Sequence, residues 1–168
     1  MKLLEHTTTW AKGDIYQGKV MLSTGILLLI VGIMILRSNY ELLKGTLIPI
    51  SLAVIMLLGY GGFLTFTRNS HLTNVESIYK ESPAKAIEQE FEKAKKDHEA
   101  YSKLKPVWAL LIVLSLGLFF IFKTDYLKGL SLGLVGLFFL ALIIDTNLHF
   151  RLKPYFDLLS NFSLNNNL

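Results

Sequence analysis

Apolar residues along this chain fall into four blocks, about 20–36, 45–67, 107–122 and 129–146, and each is apolar around its whole circumference rather than on one face. A helix that packs on a soluble core keeps a polar stripe, whereas the block 107–122 contains no charged residue at all. The pattern predicts four membrane-spanning helices. A helix of about 16 residues covers only about 24 Å of a hydrocarbon core of about 30 Å, so the third and fourth spans must draw on flanking residues. The polar segments 37–44 and 123–128 are long enough only to turn the chain back, which predicts two helical hairpins.

The polar stretch between the second and third spans, 74–105, reads as a helical linker on the inner side of the membrane. Ser82-Pro83 has the form of a helix start, with serine as cap and proline in the first turn. Ala84, Ile87, Phe91, Ala94, His98 and Tyr101 then recur at alternating spacings of three and four, an amphipathic stripe. Pro106 predicts a kink or break where the third span begins. The stripe has three open destinations: the protein's own hairpins, the lipid surface, or a partner protein. Trp10 and Tyr16 before the first span, and Tyr155, Phe156, Leu158, Leu159 and Phe162 after the fourth, predict short amphipathic segments lying in the inner interface. The closing asparagines 165–167 predict a frayed end.

Composition sharpens this picture. The chain is 52% apolar and 18% charged over 168 residues, with a mean hydropathy of +0.45. Ordinary globular chains carry about 25% charged residues. Residues 1–168 form one membrane domain, because four spans leave too little chain for a second folded one. The absence of cysteine excludes disulfides, thiolate metal sites and cysteine nucleophiles. Only three arginines, Arg37, Arg68 and Arg151, stand among the basic residues, which argues against a nucleic-acid partner. Thirteen of the seventeen lysines and arginines flank the spans on one side, and the two short turns hold only Arg37, Lys44, Lys123 and Lys128. The positive-inside rule then places both termini and the linker in the cytoplasm, as in a bacterial plasma membrane.

The two turns resemble each other: 39–45 reads NYELLKG and 124–129 reads TDYLKG, each opening a hairpin's second helix. This is consistent with a parallel repeat about an axis along the membrane normal, and equally with two interfaces of similar composition. Pro49 and the string Gly59-Tyr60-Gly61-Gly62 set the second span apart, as a bent helix lining a permeation path or as a helix packed closely on a neighbour.

Catalysis needs converging acids, bases or nucleophiles, and no familiar motif supplies them. The one polar constellation lies at the inner ends of spans two and four: Asp145, Asn147 and His149, with Asn69 and His71. Such groups can form an ion or proton site, or simply cap helix ends in the interface. No cofactor and no particular metal is implied. The sequence therefore points to an all-α integral membrane protein whose surroundings are the bilayer and a protein partner or further copies of itself. The leading expectation is a non-enzymatic accessory, assembly or immunity-type subunit, with Ile87, Phe91, Ala94, His98 and Tyr101 as its partner-binding stripe. The alternative is a small oligomeric channel or transporter for an ion or small solute.

Overall fold

The computed structural model describes residues 2–165; Asn166 and Asn167, expected to fray, lie outside the described residues. The chain forms α1 (Lys2–Leu36), a short α2 (Glu41–Gly45), α3 (Leu47–Glu81), α4 (Pro83–Ile121) and α5 (Asp125–Asn165), with no strand among the described residues. Four of these helices are long and apolar enough to cross a membrane. Their apolar portions leave large side chains uncovered, including Phe120 at 82%, Phe66 at 75% and Ile55 at 68% exposure. Surface of this kind suits a hydrocarbon solvent.

The long helices run 35 to 41 residues, about 52–62 Å, against a hydrocarbon core of about 30 Å. The excess lies at one end of the molecule. There the start of α1, the end of α3, the start of α4 and the end of α5 continue past the apolar blocks and pack on one another. Leu3, Trp10, Ala11, Ile87, Leu152 and Leu159 form the centre of this extension. A second core of Met21, Leu57, Leu64, Ile144 and Leu148 lies between the apolar portions. The four long helices thus run from their apolar portions into the extension without a break.

This continuity corrects two expectations. The segments after span four and before span one do not lie along the interface as separate pieces. Leu159 is fully buried and Tyr155 is 4% exposed, because α5 stays helical through Pro154 and carries them into the extension. Within the linker α3 runs to Glu81, the chain bends at Ser82, and α4 starts at Pro83 as Ser82-Pro83 predicts, with Ser82 Oγ accepting from the Lys85 backbone N–H at 3.4 Å. The second correction is that α4 does not break at Pro106; it continues to Ile121. Pro106 strips a donor from the Ser102 carbonyl, and Ser102 is exposed, so the unpaired oxygen is free to face polar surroundings.

Small residues decide how closely the helices approach. α1 packs chiefly along α3, and α4 along α5. A Cβ on Gly61 would meet the Gly18 carbonyl oxygen at 2.9 Å and Met21 Cβ at 2.9 Å, and one on Gly18 would meet the Gly61 carbonyl oxygen at 2.7 Å. In lipid, where apolar surface gives no net drive to associate, such backbone contact supplies the dispersion energy of packing. The same logic joins α2 to α5: Gly45 abuts the Tyr126 backbone, and Gly129 abuts the Leu42 backbone. Pro49 falls in the first turn of α3, because the chain turns at Thr46. Its missing N–H would have had no intrahelical partner anyway.

The packing yields a controlled comparison within α3. Gly61→Leu is expected to destabilise the bundle by about 1–3 kcal/mol, as overpacking does. Gly59→Leu, where nothing lies within 4 Å of an added Cβ, should change stability by well under that. Thermal unfolding of the two variants in detergent checks the pair, and equal losses would mean that α1 does not pack on Gly61.

Candidate functional site: a buried polar chain in the bundle extension

The polar extension buries ionisable side chains that the linear pattern hides. Asp14 lies on the same α1 face as Trp10, Gly18 and Met21, and Arg68 on the α3 face of Leu57, Gly61, Leu64 and Val75. Where these faces meet, Arg68 Nη2 stands 2.8 Å from Asp14 Oδ2 and Arg68 Nε donates to the same oxygen at 3.0 Å. Both side chains are almost wholly buried, at 7% and 2% exposure. Burial pushes the Asp14 carboxyl up, and the guanidinium charges of Arg68 and then Arg151 oppose that. Arg68 also lies 4.5 Å above the Trp10 ring, a cation–π contact that uses the indole face as part of its solvation.

From Trp10 the chain of contacts continues inward. Trp10 stacks on Tyr155 with ring centres 5.2 Å apart and meets His71 edge-on at 5.9 Å. The Tyr155 hydroxyl donates to Glu90 Oε2 at 2.7 Å and lies 2.9 Å from Thr7 Oγ1. His71 Nε2 lies 3.2 Å from Glu90 Oε2, and Lys93 Nζ lies 3.1 Å and 3.3 Å from the two ring nitrogens of His71. Burial raises the Glu90 carboxyl, but His71 and the Tyr155 hydrogen bond outweigh it and hold the group below its ordinary value. Burial lowers the neighbouring Lys93 ammonium and raises the Asp97 carboxyl. One layer thus joins α1, α3, α4 and α5 through Thr7, Trp10, His71, Glu90 and Tyr155.

The residues singled out from sequence are dispersed rather than gathered. His71 belongs to the Glu90 layer. His149 instead accepts from Lys105 Nζ at Nδ1 and donates from Nε2 to His98 Nδ1 at 2.9 Å. Burial lowers the His149 imidazole, and the Lys105 charge adds to that. Asp145 accepts from the Trp108 indole N–H at 2.6 Å. Asn69 and Asn147 are exposed. Asp145, His149 and His71 therefore sit in three separate hydrogen-bonded groups. Among the described residues, no group of three or more His, Asp or Glu side chains is placed to hold a metal ion.

The stripe on α4 turns toward the protein itself. Ile87 and Ala94 are buried in the extension core, Phe91 stacks on Phe156 at 5.7 Å, and His98 stacks on Phe156 at 4.8 Å. The Tyr101 hydroxyl lies 3.3 Å from that of Tyr60. The glycines around Tyr60 leave α3 wound as a helix throughout. Comparison with protein-family models, with curated proteins and with solved structures gives no match, so a functional reading must come from this geometry.

The Glu90 layer carries a pH signature. A carboxyl held low in the folded state contributes stability that is complete above its ordinary value of 4.5 and is lost as pH falls through the lower folded value. Wild type is therefore expected to lose this contribution on acidification below 4.5, while Glu90→Gln, which cannot titrate, loses less over the same range. The raised carboxyls of Asp14 and Asp97 act with the opposite sign, so the difference between the two proteins is the quantity to measure. Unfolding curves from neutral to acid pH check it; parallel curves would place Glu90 outside the network.

Proposed function

We propose that the protein is a non-enzymatic polytopic membrane module that binds a protein partner through its extension, as an accessory, assembly or immunity-type subunit does. One observation carries this reading: the carboxylates Asp14, Glu90 and Asp145 are each engaged by another side chain of the bundle and do not converge on one point. Asp14 holds Arg68, Glu90 holds His71 and Tyr155, and Asp145 holds Trp108. Such groups fix which helix faces meet, at a cost in desolvation that apolar residues would not incur. The distribution of lysine and arginine supports a cytoplasmic extension with both termini inside.

With Ile87, Phe91 and Ala94 turned inward, the surface left for a partner is the outward side of α4. Lys85, Glu88, Gln89, Glu92 and Lys96 line an open hollow of about 530 Å³ there. Alternating charge of this kind suits selective, electrostatically steered association. Within this proposal the inward stripe is a support that holds α4 in place. The reciprocal contacts of Gly45 with Tyr126 and of Gly129 with Leu42 support the finer reading of two similar hairpins packed turn against turn. A channel or transporter has less support, because Gly61 is occupied by helix contact and α3 stays wound where a path would open.

A photo-crosslinking residue at position 89, compared with one at exposed position 9 on α1, tests the proposal in native membranes. A discrete, near-stoichiometric adduct is expected at 89 and not at 9. Glu88→Lys with Glu92→Lys should reduce it about tenfold while unfolding is unchanged. Absence of an adduct at 89, or equal adducts at both positions, would reject the reading.

A further inference from the structure

Between α1 and α5, with α3 as its floor, the membrane portion is incompletely filled. A hollow of about 350 Å³ opens beside Gln17, Met21, Leu57, Asn147 and Arg151. Another of about 450 Å³ lies farther from the extension, beside Pro49, Gly133 and Gly136. Thr24, Leu140 and Ile143 line both, so the two form one groove along the bundle. The groove exists because α1 packs mainly along α3 and α5 along α4, leaving α1 and α5 loosely apposed. Gly136 adds to it by presenting no side chain where an added Cβ would meet nothing within 4 Å.

Polarity is confined to one end. Along the apolar portion the wall is almost wholly apolar, broken by the hydroxyls of Thr24 and Thr46, while Gln17, Asn147 and Arg151 stand at the end nearest the extension. The Arg151 guanidinium donates to the Gly13 carbonyl at 2.6 Å and to the Gln17 side-chain oxygen, both neutral acceptors. Its nearest carboxylate oxygen is Asp14 Oδ1 at 3.9 Å, and the other oxygen of that carboxylate is held by Arg68. Arg151 thus stands at the groove's polar end as a guanidinium whose nearest carboxylate is already engaged by Arg68. Arg151 Nε is itself buried, while the side chain as a whole keeps 25% exposure. Tyr16 and Phe150 line the same end and are exposed at 70% and 79%, as aromatic side chains at a headgroup level are.

We propose that this groove holds an anionic phospholipid of the leaflet nearest the extension, its phosphate against Arg151 and one acyl chain along Met21, Thr24 and Leu140. The dimensions fit: from Gln17 to Leu28 α1 advances about 16 Å, close to half of a hydrocarbon core of about 30 Å. An acyl chain entering the groove exchanges lipid contacts for protein contacts and gains little. Selection therefore rests on the headgroup, and one arginine at the membrane surface corresponds to a preference of about fivefold. The site is independent of the partner-binding proposal and of which side of the membrane the termini occupy.

Native mass spectrometry of the whole protein, purified in a mild detergent, tests the site. The probes are phosphatidylglycerol and phosphatidylcholine of identical acyl chains, offered together, and inorganic phosphate offered alone. Phosphatidylglycerol adducts are expected to exceed phosphatidylcholine adducts about fivefold in wild type and in Arg151→Lys, and to fall to parity in Arg151→Gln. Ile143→Trp, a change at an exposed residue of the groove wall, should lower adducts of both lipids, whereas Leu110→Trp, on the exposed side of α4, should not. Parity in wild type, a preference unchanged in Arg151→Gln, or adducts unaffected by Ile143→Trp would each overturn the proposal. So would phosphate adducts as abundant as lipid adducts, or a lipid-free dimer, which would assign the groove to a second copy.

Discussion

The ion pair between Asp14 and Arg68 is the constraint on which the rest of this bundle depends. Two charges almost wholly removed from solvent are tolerated only because each is the other's partner, so any sliding of α1 against α3 leaves a buried charge uncompensated. In α1 the pair lies one helical turn from the contact of Gly18 with Gly61, where backbone meets backbone. Together these fix register by two different forces, electrostatic on the polar side and steric on the apolar side. Arg151 brings α5 to the same point through Gly13 and Gln17, and Trp10 covers Arg68 from within α1.

Different solvents drive packing above and below this point. Among the apolar portions, burial gains almost nothing over contact with lipid, and cohesion comes from close approach at glycine. In the extension, Leu3, Ile87, Leu152 and Leu159 leave water, and the hydrophobic effect applies at its ordinary strength. A continuous helix serves both regimes because its backbone hydrogen bonds are internal in either solvent. The polar layer of Trp10, His71, Glu90 and Tyr155 then gives the water-facing half a unique arrangement that aliphatic contacts alone would leave loosely specified.

The four apolar helices are legible in the sequence because about sixteen or more residues with almost no charge have few other folds available. The start of α4 is legible too, since Ser82-Pro83 is a local signal that needs no tertiary context. The extension is not, because its helices carry mixed faces that read equally well as separate interfacial segments. Asp14, Arg68 and Glu90 are hidden for the same reason: charged residues in a polar stretch look solvated. Their positions do hold a signal. Trp10, Asp14, Gly18 and Met21 repeat at spacings of three and four, and Ala86, Glu90 and Ala94 at a spacing of four, so each charge sits on its helix's small or apolar face. Asp145, His149 and His71 illustrate the reverse case, since proximity in sequence to a helix end does not bring them to one point in space.

Whether Asp14 and Arg68 stabilise the bundle as a pair is measured most directly by a double-mutant cycle. Asp14→Asn, Arg68→Gln and the combined variant would be unfolded in detergent alongside wild type. Each single change is predicted to cost about 3–5 kcal/mol, because it strands the remaining charge, and the double variant is predicted to cost far less than their sum. Losses that simply add would show that the two side chains act independently, and would contradict a register fixed by their pairing.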